Sequence, residues 1–318
     1  MRDFIIRRLL LLVPIMLGVS FLTFAIFRVI PGDAAVLICQ FNCTDETLRD
    51  IRHDLGLDRP FYEQYGDWLG GVLEGDLGQS FLTKLPVTTE LESRLPVTAE
   101  LTIMAMILAL VLGIPPGVLS AVRPGTMADW VARFSSVVWL SVPNFYLGIL
   151  IITFGATWFG WSPPNFGTGR TVAFFDDPWL NLQTFFFPAL VLALGIAAVI
   201  MRLTRSSMLE VMRNDYIRTA WSKGLRERSV VWRHALKNAM IPVMTIIGVQ
   251  VGLLIGGAVI IESVFALNGI GLYLLTAILS RDLLVVQSLV LLFAVVFVII
   301  NLVVDLGYAW LDPRIRYG

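Results

Sequence analysis

Long apolar runs alternate with shorter polar stretches along most of the chain, and the apolar runs set its architecture. Five or six of them approach the roughly twenty residues that a helix needs to cross a bilayer. The pattern predicts spans over about Leu9–Phe27, Val97–Val122, Phe134–Phe159, Phe185–Met201, Met240–Val264 and Ser288–Trp310. Pro14 fits inside the first span, because neighbouring spans can satisfy the carbonyl it frees. The second carries Pro115-Pro116-Gly117, which reads as a breaker, and the third contains Pro143 and Asn144.

The polar stretches differ in kind. After Arg28, the turn Ile30-Pro31-Gly32-Asp33 opens a segment to Pro96 with twelve Asp or Glu against five Lys or Arg. Leu48, Ile51, Leu55 and Leu57 predict one amphipathic helix there. Tyr62, Tyr65, Trp68, Leu69 and Leu73 predict a second, whose aromatic residues suit a membrane interface. Such a segment is too thin to fold alone. The residues divide into a first span (1–30), a helical subdomain (31–96) and a core transmembrane domain (97–318). Gly160–Thr184 is rich in Pro, Gly and aromatic residues and includes Asp176 and Asp177. Between Phe265 and Gln287, Asn268, Gly269, Gly271, Arg281 and Asp282 surround a short apolar piece, either re-entrant or interfacial.

The stretch from Glu210 to Pro242 is the outlier. A connector between helices needs only a handful of residues, yet this one is about thirty long, basic and mostly polar. It reads as two short helices broken at Gly224. Asn214 or Asp215 caps the first, with Ile217, Ala220 and Trp221 as a narrow apolar stripe. Val230, Val231, His234, Ala235 and Leu236 form the stripe of the second, and Pro242 begins the next span. Gly224 stands where a C-cap would turn the chain.

Composition turns this pattern into a class. Hydrophobic residues make up 57% of the chain and charged residues 15%, outside the usual soluble range, so the chain is a polytopic membrane protein. The net charge of zero conceals an asymmetry. With the amino terminus inside, the inner segments hold sixteen Lys or Arg and the outer ones eight, and seven lie between Arg213 and Lys237. Basic residues favour the cytoplasmic side, so both termini and the Glu210–Pro242 elbow are expected there. The first apolar run could pass for a signal peptide, but its length and the lack of a small-x-small site make it a retained span. The basic residues hug span ends without interleaved exposed aromatics, which argues against nucleic acid.

Candidate chemistry is sparse. No Gly-Lys pair occurs, so the usual ATP-phosphate cradle is missing. His53 and His234 are the only histidines and fall on opposite sides of the membrane, which leaves no paired-histidine metal site and makes a serine–histidine triad remote. No metal site is expected. Cys39 and Cys43 lie in the outer segment, where a local disulfide and two reduced, packed cysteines are both open. A gradient-driven carrier usually needs ionisable residues within its spans. Here the candidates for a pathway or gate are Asn144, Gln250 and Glu262. Glu262 contacts cargo or a partner, or else pairs with an outer-loop Arg. Asn301 and Asp305 read as structural, through inter-helix hydrogen bonds or a pair with a terminal Arg.

A resemblance enters at the elbow. Asp215-Tyr216-Ile217-Arg218-Thr219-Ala220 through Gly224, then His234-Ala235-Leu236-Lys237-Asn238-Ala239 and Pro242, resembles the permease signature of ATP-binding-cassette importers. In particular it is similar to the first permease subunit of the dipeptide/oligopeptide/nickel group. The family's glutamate-alanine-alanine motif is replaced by Arg218, Thr219 and Ala220, with Gly224 as its glycine. Lys237 stands where a first proline is common, and Pro242 matches the later one. Other matching stretches are Ile30-Pro31-Gly32-Asp33, Leu55-Gly56-Leu57-Asp58-Arg59-Pro60, Gly75-Asp76-Leu77-Gly78-Gln79-Ser80 and Arg94-Leu95-Pro96. Further ones are Ser141-Val142-Pro143-Asn144-Phe145, Gly256-Gly257 with Glu262, and Leu311-Asp312-Pro313-Arg314.

The resemblance implies an all-α, six-span type I importer permease in the inner membrane. It would carry an outer-face helical insertion after span 1 and a cytoplasmic coupling helix between spans 4 and 5. It implies a homologous second permease, two ATPase subunits that hold ATP and Mg, and an extracytoplasmic binding protein, with no enzymatic activity in this chain. Asp215, Tyr216, Arg218, Thr219, Ala220, Lys223, Gly224 and Leu225 would couple to an ATPase. Trp68, Asp76, Trp161 and Asp176 would face the binding protein. The implied cargo is a di- or oligopeptide, with nickel, glutathione or another small solute as the alternative. A gradient-driven secondary carrier is the reading from a different class.

Overall fold

The computed structural model describes residues 2–29, 44–54, 56–164, 166–168 and 170–311, and within these it leaves out the side chains at 2–9, 27–29, 51, 54 and 304–311. Cys39, Cys43, Ile30-Pro31-Gly32-Asp33, Leu55, the Asp312-Pro313-Arg314 tail, and the side chains of Ile51 and Asp305 therefore lie outside the described residues. The helices are α1 (Arg2–Val29), α2 (Asp45–Asp54), α3 (Phe61–Glu74), α4 (Val87–Val122), α5 (Met127–Ser141), α6 (Asn144–Phe159), α7 (Pro178–Val211) and α8 (Asp215–Ser222). Then come α9 (Glu227–Phe265), α10 (Ile270–Leu279) and α11 (Leu283–Leu311). Two compact units are distinguished, 1–96 with 273–299 and 97–272 with 300–318.

Among the described residues, α4, α7, α9 and residues 283–303 of α11 are long and apolar enough to cross a membrane, and α5 with α6 makes a fifth if the bent pair is one span. In α1, which runs for 28 residues, the described apolar stretch is Leu10–Ile26.

Three expectations are corrected. Pro115-Pro116-Gly117 does not break its helix: α4 runs unbroken for 36 residues. Its glycines serve close packing instead. A Cβ at Gly113 would come within 2.8 Å of the Ile200 side chain, and one at Gly117 within 2.8 Å of the Met201 carbonyl oxygen on α7. Small residues four apart allow two backbones to approach where lipid supplies no hydrophobic drive.

The third span is not continuous. It bends by 96° between α5 and α6. Pro143 forces its predecessor out of the helical region, and Val142 is extended at φ −94, ψ 121. Finally, the second elbow helix does not stop before Pro242. It continues through a π turn at Val230–Ala235 into one 39-residue helix. Val231, Ala235, Ala239, Val243 and Ile247 recur every four residues and are all buried, so a single face carries the helix past Pro242.

In the first unit, α3 lies against α1. Phe24 meets Phe61, Tyr65 and Trp68 with ring centroids 5.2–5.6 Å apart, and the Ser20 and Tyr65 hydroxyls are 2.8 Å apart. Tyr65 and Trp68 thus pack inward, while Tyr62 stays exposed. Ser80 donates to Asp282 at 2.6 Å and Ser288 to the Leu77 carbonyl at 2.9 Å, which pins the 75–86 loop to the start of α11. In the second unit the core joins α4, α7 and α9 through Leu101, Ala105, Phe185, Leu192, Leu254 and Ile261.

Candidate functional site

The elbow is built from its caps inward. α7 ends at Val211, and Asn214 takes the N-cap position of α8 without a side-chain bond. At the other end Gly224 adopts φ +73, and the amides of Lys223, Gly224 and Leu225 return to Thr219, Trp221 and Ala220. Only a residue that tolerates the left-handed region ends a helix in this way at little cost.

One face of α8 is anchored. Ile217 and Ala220 are buried against Val118 and Ala121 of α4, Met208 of α7, and Val230, Val231, Ala235 and Ala239 of α9. The other face is open. Asp215, Tyr216, Arg218, Thr219, Ser222 and Lys223 are exposed, and Asp215 and Arg218 approach each other only at 3.5 Å in an exposed pair, which contributes little. Trp221, expected in the buried stripe, is 42% exposed and belongs to the open side. Leu225 is at the margin of exposure. Tyr216 is held from behind, its hydroxyl accepting from the Asn238 amide at 2.8 Å. The result is a short rod with a fixed base and a free polar face.

The pathway candidates are placed apart. Asn144 opens α6 facing α7, where a Cβ at Gly195 would lie 3.5 Å from its amide oxygen. Gln250 is half-buried midway along α9. Glu262, near the end of α9, is wholly buried. Its carboxylate accepts from the Thr98 hydroxyl at 2.6 Å and the Leu272 amide at 2.9 Å, while the Thr98 oxygen accepts from the Ile270 amide at 2.8 Å. Together they satisfy free N–H groups at the start of α10, where a negative charge is favoured. A Cβ at Gly269 would collide with that carboxylate, and one at Gly271 would come within 2.6 Å of the Val259 backbone.

Residues 113–317 match the family described as the binding-protein-dependent transport system inner membrane component, and residues 1–102 match the one described as its N-terminal part. The chain belongs to this family. This inner membrane component is 40% identical over 333 residues to the dipeptide transport system permease protein DppB of Alkalihalophilus pseudofirmus, with 100% of both chains covered. It is 40% identical over 338 residues to DppB of Escherichia coli K12, covering 100% of this chain and 99% of that one. It is 42% identical over 317 residues to a putative peptide transport system permease protein of Brucella abortus, again with 100% of both covered. In fold it resembles a chain of the inward-facing MetNI methionine ABC transporter, at TM-score 0.55 and 19% identity, over 70% of this chain and 96% of that one.

Within this inner membrane component, the residues expected to meet a binding protein have unequal settings. Asp76 is exposed but accepts from the Gly78 amide at 2.8 Å, shaping its own turn. Trp68 is half-buried against Phe24. Trp161 folds back on Phe187, ring centroids 4.9 Å apart, against Gly155. Asp176 is exposed, and its neighbour Asp177 caps α7 by accepting from the Leu180 amide. The aromatic residues most open to solvent near Asp176 are Phe175, 93% exposed, and Trp179; the Pro- and aromatic-rich loop pointed to the stretch but not to these two.

Sequence reasoning also missed Ser120, Asp129 and Arg205, which meet where α4, α5 and α7 adjoin. Nothing local marks a partnership between positions 76 residues apart; the one signal was Thr126 followed three residues later by Asp129, an N-cap pattern.

Proposed function

We propose that this chain is the membrane-spanning subunit of an ATP-driven importer of di- or oligopeptides. It would form the pathway with a homologous second permease, above two ATPase subunits and below an extracytoplasmic binding protein. The relatives' names support the peptide cargo over nickel, glutathione or another small solute. α1, α4, the α5–α6 pair, α7, α9 and α11 would be its six spans, with both termini cytoplasmic. ATP and Mg would be held by the ATPase subunits, so the chain catalyses nothing itself.

The observation that carries this reading is the two-sided α8. A helix of 8 residues with one face packed on three others, and the opposite face polar and open, suits a groove on a moving partner. Displacement of such a rod reaches α4, α7 and α9 as rigid-body motion, the means by which packed helices switch between two arrangements. Asp215, Tyr216, Arg218, Thr219 and Lys223 would line the contact, with Ala220 and Gly224 holding their register and Leu225 at its rim. Glu262 would brace the outer end of the gate rather than contact cargo, and Asn144 and Gln250 would line the pathway. Trp68, Asp76, Trp161 and Asp176, together with Phe175 and Trp179, would lie on the binding protein's side.

The test is uptake of a labelled dipeptide by vesicles. The complete assembly with ATP should accumulate it, while the chain alone under an ion gradient should not. Accumulation by the chain alone would support a secondary carrier instead.

A further inference from the structure

The inner ends of α4, α5 and α7 are joined by a buried polar network outside the elbow. Asp129, in the first turn of α5, is 3% exposed. One carboxylate oxygen accepts from the Ser120 hydroxyl at 2.5 Å and the Arg205 Nε at 2.9 Å, and the other from Arg205 Nη2 at 3.2 Å and the Gly125 amide at 3.0 Å. Arg205 Nε also donates to the Ser120 oxygen at 2.9 Å. The carboxylate is thus gripped from α4, from α7 and from the turn between α4 and α5.

Its place gives this network a mechanical meaning. Ser120 lies between Val118 and Ala121, and Arg205 lies one turn before Met208. Those three apolar residues form part of the floor under Ile217 and Ala220 of α8. Apolar packing is non-directional, so a floor held by dispersion alone lets helices slide along one another. A planar guanidinium bonded to both oxygens of one carboxylate has a single geometry. Parting the pair would leave a charge stranded among helix ends, which resists partial separation.

We propose that Asp129 and Arg205, bridged by Ser120, are positioning residues for transport: they make the inner ends of α4, α5 and α7 follow the elbow as one body. This rests on the importer reading. A push on α8 then moves the spans, whereas without the brace it is spent shearing α7 against α4.

The experiment uses the complete assembly in vesicles and measures labelled alanyl-alanine taken up per ATP hydrolysed. Asp129→Asn should lower that ratio roughly tenfold while ATP hydrolysis continues, and Arg205→Lys, which keeps the charge but loses the fork, should lie between that variant and the wild type. A role confined to stability would reduce the amount of assembled protein and leave the ratio alone; an unchanged ratio at wild-type assembly overturns the proposal. If Asp129→Asn does not assemble, Ser120→Ala strands no charge and decides the matter: a fall of about threefold supports the brace, and an unchanged ratio refutes it. If the wild-type assembly itself does not link uptake to ATP hydrolysis, the importer reading fails first and the brace falls with it.

Discussion

Two carboxylates are buried within the same unit, and they are held in different ways. Asp129 faces a guanidinium and accepts from groups on α4, on α7 and in the turn between α4 and α5. Glu262 accepts from a hydroxyl and a backbone amide and closes the start of α10, with Gly269 and Gly271 pressed against it. The first site centres on a guanidinium–carboxylate pair; the second centres on the amides that open α10 and depends on the absent side chains of Gly269 and Gly271. Parting a bidentate ion pair strands a charge, whereas filling a glycine's place displaces backbone. The two sites should therefore respond differently to substitution.

The largest effect is expected at the capped turn. In Gly271→Val the new side chain would meet the Val259 backbone, 2.6 Å from the position of its Cβ, and backbone cannot step aside as a side chain can. We expect a loss of about 3 kcal/mol or more, seen as a sharp fall of the protein in the membrane fraction; wild-type abundance would refute the packing described. At the charge pair, Asp129→Asn should cost about 2 kcal/mol. That is less than a fully buried pair costs, because a quarter of the Arg205 side chain stays accessible. Thermal unfolding in detergent would measure it, and an unshifted midpoint would mean the pair is dispensable.

Glu262→Ala leaves the Thr98 hydroxyl and the Leu272 amide without this acceptor and should cost about 1–2 kcal/mol, while Glu262→Gln, which keeps one acceptor, should recover much of it. Equal midpoints for the two would contradict the capping role. The smallest effect is at Gly224. No atom lies within 4 Å of a Cβ built there, so the cost of Gly224→Val is backbone strain alone, about 1–2 kcal/mol. Gly224→Asn should be milder, since Asn tolerates the left-handed region. In vesicles the assembly carrying the Val variant should keep its ATP hydrolysis with reduced uptake, and uptake equal to wild type would remove Gly224 from any role in coupling.

The contrast also explains what could be read from the chain beforehand. Apolar runs place the long helices well, because a run's length is a local property. The elbow's start, its Gly224 stop and its buried pair Ile217 and Ala220 were legible for the same reason. What escaped depends on distant partners or on competition. Pro115-Pro116-Gly117 looks like a breaker until α7 is seen to occupy the space that Gly113 and Gly117 leave open. Pro242 looks like a boundary until the buried face is followed from Val231 to Ile247. Pro143, in contrast, does break its helix, since Val142 before it turns extended and α5 and α6 diverge there. Asp129 and Arg205 carry no local mark of their pairing, and Trp221 has an apolar ring on the polar side of α8.

The most direct test of the central claim is a crosslink from the open face of α8. With Cys39 and Cys43 replaced, a cysteine introduced by Thr219→Cys in an assembly that still imports should react with a cysteine placed in the groove of an ATP-hydrolysing subunit, with the yield changing between nucleotide-free and ATP-bound states. If that assembly imports at the wild-type rate while position 219 stays open to water and forms no crosslink in either state, force does not enter through α8.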